Sequence, residues 1–336
     1  MYLSESEKEF LNFPQELYKG DPFYTIKSED ISECEKIFVV KNEGKVLARA
    51  GVLFNPRPLR EREEFLSEQS KLRNLVEGLQ IGFFEAENNI DAVKFLFDEI
   101  KKYALNKGYN YLIGPINGST WKKYRITLPS NNPPFLLDNY NKPYYAELFE
   151  KCGFETIANY TSSVCKNLDR NYSRLDKFEK IFKRKGVKIR KFDPENFEKD
   201  IKKIYDVSIK SFVNNFLYTP IEFEQFYKIY EPVKSFLNPE WILIAENDKN
   251  EEIAFIFGFD NLYNRMEKSL IIKTLAQIPE YKYKGIGSYL TEFMHKKAYL
   301  AGYKNIIHAL MHESNISSNI LKGEIYHEYK LYGVKL

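Results

Sequence analysis

From residue 186 onward the hydrophobic positions repeat with two periods. Phe197–Phe212 sets Ile201, Ile204, Tyr205, Ile209 and Phe212 on one side of a 3.6-residue repeat, which predicts an amphipathic helix. Ile221–Phe236 reads as a second helix, entered through Thr219-Pro220 as N-cap and first-turn pair. Ile286–Leu300 reads as a third, with Leu290, Phe293, Met294 and Ala301 toward a core. Short apolar runs predict strands at Lys188–Phe192, Trp241–Ala245, Ile253–Leu262, Ser269–Gln277, Lys304–Met311 and Ile325–Val334. Asn247–Asn250 reads as a turn and Asn315–Leu321 as a short helix. The predicted order is β-α-α-β-β-β-α-β-α-β.

The front of the chain is less regular. Ile37–Val40 and Val46–Phe54 flank Asn42-Glu43-Gly44 and predict a hairpin. Leu59–Val76 carries a helical pattern. Pro143–Lys151 predicts a helix stopped at Gly153, with a strand over Phe154–Cys165. Trp121–Tyr145 is long for a connection and holds several aromatic residues and prolines. Capping an acceptor pocket and packing over the core are both open for it.

The two halves resemble each other. Sliding Leu79–Gly114 by 194 positions brings Leu96 onto Leu290, Ala104 onto Ala298 and Gly108-Tyr109 onto Gly302-Tyr303. Tyr111-Leu112-Ile113 then falls on Asn305-Ile306-Ile307 and Gln80-Ile81 on Thr274-Leu275, with no gap. The expected organisation is two tandem mixed α/β domains, residues 1–170 and 171–336, each a central sheet flanked by helices.

Composition narrows the function classes. Of 336 residues, 43% are hydrophobic and 29% charged, as in a globular protein. Fifty basic residues against 47 acidic ones give a net charge of +3, without the strong basic excess of a nucleic-acid binder. The basic stretch Lys177–Lys191 reads as a solvated helix end and linker. Cys34, Cys152 and Cys165 are too few and too scattered for a disulfide framework or a metal set, which suits a reducing cytoplasm. The polar N-terminus is unlike a signal peptide, and no apolar run approaches membrane-spanning length.

Chemistry concentrates in one loop, Gln277-Ile-Pro-Glu-Tyr-Lys-Tyr-Lys-Gly-Ile-Gly-Ser288, between a predicted strand and helix. Gly285 and Gly287 let a ligand approach the main chain. The unpaired N–H groups of the first helical turn carry the positive end of the helix dipole, a ready site for pyrophosphate. Lys282 and Lys284 add charge beside it. Opposite Gly285, Gly287 and Ser288 the first half has Asp91, Val93 and Lys94, and an aspartate there repels phosphate. Only the second half is expected to bind such a ligand.

Lys282-Tyr283-Lys284-Gly285-Ile286-Gly287 resembles the Arg/Gln-x-x-Gly-x-Gly/Ala signature of the GCN5-related N-acetyltransferase (GNAT) superfamily, with Lys at its first position. Ile278-Pro279-Glu280-Tyr281 and Glu313-x-Asn315 resemble flanking features of the same family, over roughly residues 186–336. Pro143–Phe154 resembles the family's carboxyl end, and Phe13–Pro22 resembles the start of an uncharacterised bacterial group of large GNAT-like proteins. The resemblance implies acetyl-CoA (coenzyme A) as cofactor. It puts the backbone of Leu275 and Gln277 on the pantetheine arm, with Asn315 approaching it. It puts Lys282 beside the phosphates and the amides of Lys284, Gly285, Ile286, Gly287 and Ser288 on the pyrophosphate. It also implies an N-acetyltransferase acting on a primary amine of a small molecule or peptide; the balanced charge and short apolar runs add the expectation of no nucleic acid and no membrane as partner.

The family's acid–base residues are not all matched. Leu270–Ala276 holds no acid where many members carry a general-base Glu, and Lys322 stands where many carry a general-acid Tyr. Tyr326, Tyr329, His308 and His312 lie nearby; Tyr326 and His308 are taken as catalytic candidates, with no metal. Aminoacyl transfer from charged tRNA and a non-catalytic coenzyme A-binding module remain the alternatives.

Overall fold

The computed structural model describes residues 1–25, 28–54, 78–264, 266–313 and 323–336. Two compact units emerge. The first comprises residues 1–134, 139–160 and 327–336, the second residues 135–138 and 161–326. The sequence expectation cut the chain once, at 170/171; the packing instead assigns the last ten residues to the first unit.

The first unit opens with β1 (Tyr2–Ser4), α1 (Glu7–Leu17), β2 (Lys36–Asn42), β3 (Lys45–Leu53), β4 (Leu79–Ala86), α2 (Ile90–Asn106) and β5 (Tyr111–Gly114). Its sheet runs β1-β2-β3-β4-β5, antiparallel up to β4 and parallel between β4 and β5. The predicted hairpin forms with Glu43 and Gly44 at φ 48° and 82°, the doubly left-handed turn that matches strand twist. Residues 327–335 of β13 (Glu324–Lys335) lie against β5, and residues 155–160 of β7 (Glu155–Cys165) come next. β6 (Ile126–Thr127) also pairs with β13. Ala92, Val93, Leu96, Phe97, Ile100 and Ala104 form the fully buried face of α2. α3 (Tyr145–Lys151) ends as predicted, Gly153 taking φ 84°. Tyr144 and Tyr145, on the long connection, pack into this unit: their hydroxyls donate to Ala86 O at 2.9 Å and to Glu85 Oε2 at 2.6 Å.

The second unit repeats that order. It runs α4 (Ser173–Arg184), β8 (Lys188–Lys191), α5 (Phe197–Phe212), α6 (Phe223–Tyr230), β9 (Ile242–Glu246), β10 (Glu252–Asp260), β11 (Ser269–Gln277), α7 (Ile286–Leu300) and β12 (Asn305–His312). β8-β9-β10-β11-β12 pair as their counterparts do, with only β11–β12 parallel, and β7 continues the order beyond β12. α5, α7 and β11 match the predicted bounds. The helix predicted from Ile221 starts later: Glu222 and Gln225 form a capping box in place of Thr219-Pro220. It becomes a 3-10 turn over Glu231–Phe236, where Pro232 cannot donate the α-helical bond. Ala301 lies exposed past the end of α7, outside the core expected for it.

The ungapped repeat holds for helix and following strand, not for the strand before. Gly108 and Gly302 both sit at φ 82° after their helices. However, Leu79 faces Leu112 and Leu270 faces Ile306. The second pair of partners is 194 positions on from the first, whereas Leu79 and Leu270 are only 191 apart. The first unit therefore lacks three residues between strand and helix, and α2 starts two residues earlier than α7 on the shared register. The helices predicted at Leu59–Val76 and Asn315–Leu321 fall outside the described residues. No helix among the described residues is long and apolar enough to cross a membrane.

The assignment of β13 to the first unit is testable at Tyr332. Its ring is fully buried, lies 5.4 Å from Phe149, and its hydroxyl reaches Glu150 Oε1 at 3.0 Å. Tyr332→Ala is expected to cost about 3–5 kcal/mol, as for other buried aromatic truncations. Urea unfolding showing a loss below about 1 kcal/mol would contradict this placement.

Candidate active site

β11 and β12 are hydrogen-bonded partners only from Ser269–Asn305 to Ile272–His308. At that point the β10–β11 register shifts: Phe257 faces Thr274 while Gly258 faces Ile272, so Lys273 is an extra residue on β11. A bulge of this kind bends its strand. β11 runs on to Gln277 beyond its last β12-paired residue, and β12 turns at Leu310, φ 61°, whose N–H donates to Ser162 Oγ on β7 at 3.0 Å. The two strands part and leave a wedge between them.

The wedge ends at the start of α7. Gly285 is its N-cap, at φ 94° and ψ −2°, with no side-chain cap. A Cβ at Gly285 would meet nothing within 4 Å, so glycine is required by backbone conformation and not by crowding. Ile286 anchors the helix in the core at 0% exposure, and Ser288 is partly exposed in the first turn. Gln277 folds back so that Oε1 accepts from the Gly287 N–H at 3.1 Å. A Cβ on Gly287 would lie 3.1 Å from that oxygen and 3.5 Å from Leu275 Cδ2. The structure thus joins Leu275, Gln277 and Gly287 in one cluster. Ser211 on α5 holds the other side of Gln277, donating to its carbonyl at 2.7 Å.

Tyr281–Tyr283 form a 3-10 turn that buries Tyr283 and leaves Lys282 and Lys284 exposed beside the helix end. α4 carries the basic stretch to this place. Phe182 stacks on Tyr289 with centroids 5.5 Å apart, and Lys185 Nζ donates to Lys282 O at 2.5 Å. Composition alone marked that stretch as solvated; the helical spacing of Phe178 and Phe182, both against Tyr289, was the signal that it packs. The open glycine turn, a helix N-terminus whose cap residue offers no side chain, and the surrounding lysines fit a pyrophosphate.

At the corresponding helix of the first unit, Asn89 is the N-cap and its Oδ1 accepts from Ala92 N–H at 3.0 Å. Asp91 follows in the first turn. The wedge itself is bridged by the chain: Ile116 N–H donates to Ile81 O, and Asn117 Oδ1 accepts from Phe83 N–H, both at 2.8 Å.

The catalytic candidates are placed apart in character. His308, at the last paired position of β12, turns toward α7, and its Nε2 lies 2.9 Å from His295 Nε2. One ring donates and the other accepts. Burial first, and then nearby Arg170, push His308 down to about 4; burial and the adjoining imidazole push His295 lower still. Arg170 pairs with Glu292 at 2.9 Å. His312 stacks on Phe216 at 5.6 Å. Tyr326 lies half-buried on β13, its ring 6.0 Å from Phe135. Burial and the Asp138 carboxylate push its phenol up to about 12. Asn315 and Lys322 lie outside the described residues. Among the described residues no cluster of three or more His, Cys, Asp or Glu is placed to hold a metal.

No protein-family model matches the sequence, and no curated protein does. Solved structures do match in fold. A GCN5-related N-acetyltransferase from Sphaerobacter thermophilus matches with TM-score 0.52 and 12% identity, over 96% of this chain and 89% of that one. A tandem GNAT protein from the clavulanic acid biosynthesis pathway matches with TM-score 0.53 and 9% identity, over 99% and 98%. A probable N-acyltransferase of unknown function from Enterococcus faecalis V583 matches with TM-score 0.51 and 8% identity, over 99% and 72%. The chain therefore carries the GNAT acyltransferase fold over nearly its whole length.

Two outcomes follow from this geometry. Gly285→Ala is expected to destabilise by about 1 kcal/mol through its positive φ alone, measured by thermal or urea unfolding; a neutral effect would contradict the left-handed cap. The histidine pair sets a pH dependence. Both imidazoles are depressed below the ordinary value of about 6.5, so the stabilisation is complete above about pH 6.5. It is lost as pH falls toward 4, because only the unfolded chain takes up the protons. Stability is expected to drop on the order of 2 kcal/mol per imidazole between pH 7 and 5, and the drop should shrink in a His295→Leu/His308→Leu chain.

Proposed function

We propose that the chain is an acetyl-CoA-dependent N-acetyltransferase acting on a primary amine of a small molecule or peptide in the cytoplasm, with its cofactor site in the second unit. One observation carries this reading: the wedge left by β11 and β12 runs directly into a helix N-terminus opened by Gly285 and Gly287. The first unit, with its capped helix end and bridged wedge, serves as scaffold.

In this reading the amides of Ile286, Gly287 and Ser288 hold the pyrophosphate, with Lys282, Lys284 and Lys185 around it. The backbone of Leu275 and Gln277, beyond the last β12-paired residue, lies along the pantetheine arm. Gln277 gives up its bond to Gly287 N–H when phosphate arrives. Acetyl-CoA supplies the activated acyl group, which the amine gains with loss of one proton while coenzyme A leaves as the thiol. The amine proton goes to water, since β11 carries no acid. Tyr326 stays protonated at neutral pH, as a donor to a departing thiolate must. Most of the rate then comes from positioning, which supplies roughly 7–11 kcal/mol in well-oriented cases.

Calorimetry is expected to find one coenzyme A site per chain, abolished in Gly287→Phe, whose ring fills the approach to the amides. Gln277→Ala removes a competitor for the Gly287 amide and should bind at least as tightly as the parent. Thiol release from acetyl-CoA across an amine panel tests the transfer. If no amine exceeds hydrolysis while coenzyme A still binds, the transferase reading fails and a binding module takes its place. If only charged tRNA supports transfer, the acceptor chemistry is aminoacyl transfer.

A further inference from the structure

More positive charge surrounds the start of α7 than a pyrophosphate uses. Lys183 and Arg184 end α4, and Lys185 follows as its C-cap. The Phe182–Tyr289 stack brings this helix end to α7, and Lys185 Nζ donates to Lys282 O at 2.5 Å. That bond uses one of the three N–H donors of the ammonium. Lys183, Arg184, Lys282 and Lys284 are exposed and form no ion pair among the described residues. Asp248, Glu280 and Glu179 are acids nearby, and none of them pairs with these cations.

A pyrophosphate diester carries about two negative charges. Lys282, Lys284 and the positive helix end, worth roughly half a charge, already match them. Lys183, Arg184 and Lys185 remain. Cations at the end of α4 complement its dipole, yet Lys185 bonds to the glycine loop and not to its own helix. Like charges crowded in this way repel one another, and a further anion relieves the repulsion. An aromatic ring lies beside them. Tyr281 is 87% exposed, with Lys284 Nζ 5.8 Å over its ring and no other ring against it among the described residues. An exposed flat ring next to phosphate-matching cations suits a nucleobase.

We infer that this corner holds the 3′-phosphoadenosine end of the coenzyme, its 3′-phosphate on Lys183, Arg184 and Lys185 and its adenine on Tyr281. The inference rests on the second unit being a coenzyme A site. A phosphate monoester carries about −1.5 to −2 at neutral pH, which is the charge these three cations are left to meet. Dephospho-coenzyme A shares the pyrophosphate, the adenine and the pantetheine arm and lacks only this group. α4 therefore lets the chain select coenzyme A over donors without a 3′-phosphate.

Calorimetry on the full chain compares coenzyme A with dephospho-coenzyme A. The parent is expected to bind coenzyme A roughly tenfold more tightly, by a ratio that shrinks as salt is raised. In Lys183→Ala/Arg184→Ala the ratio should fall to about threefold or less, with dephospho-coenzyme A at its parental affinity. Tyr281→Ala should weaken both ligands alike, since both carry the adenine. All three side chains are exposed, and an unchanged unfolding temperature checks that the variants fold. Equal affinity of the parent for the two ligands, or an unchanged ratio in the double variant, would overturn the inference and leave the coenzyme site in place. Parental affinity in Tyr281→Ala would overturn the adenine placement. If neither ligand binds the parent, the coenzyme site and this inference fall together.

Discussion

A β-strand can leave its neighbour only if something else satisfies its backbone, and this constraint organises both units. In each, a parallel pair forms the middle of the sheet and separates after a few residues, because an irregularity on the preceding antiparallel pair bends the strand away. In the second unit the irregularity is the extra residue Lys273. In the first it falls between Arg49 and Gly51, opposite Phe83 and Phe84. Buried peptide groups need partners, so a parting of strands has two outcomes. The chain fills the gap itself, as Ile116 and Asn117 do, or the gap is kept for a ligand.

The helix that follows faces the same choice. Its first amides have no partners within the helix. Asn89 supplies one in the first unit, and a three-residue connection leaves no room for more. The second unit uses eight residues, Ile278–Gly285, and ends them on a left-handed glycine with no side chain to offer. Gln277 reaches across instead, from outside the helix, and a side chain that caps from a strand end can be displaced more readily than one built into the N-cap.

Much of this was legible in the sequence because it rests on local physics. The bounds of α5, β11 and α7 follow from periodicity, and Gly285 announces itself through the only conformation that justifies it there. What was not legible is non-local. Nothing in Tyr329 or Tyr332 says that the last strand completes the first unit, since alternation gives a strand but not its neighbour. The repeat was visible through α2 and α7, yet ungapped sliding concealed three missing residues, because apolar strands match one another at several registers. The pairing of His308 with His295 joins a strand to a helix face and leaves no local trace.

The second unit keeps its buried carboxylates opposite cations. Arg170 faces Glu292 at 2.9 Å, and Asp200 takes both Arg190 Nη1 and Nη2 at 2.6 and 2.7 Å. These pairs lie away from the start of α7, where the groups on offer are main-chain amides. Charge inside the unit therefore serves packing, and the wedge is left to the backbone.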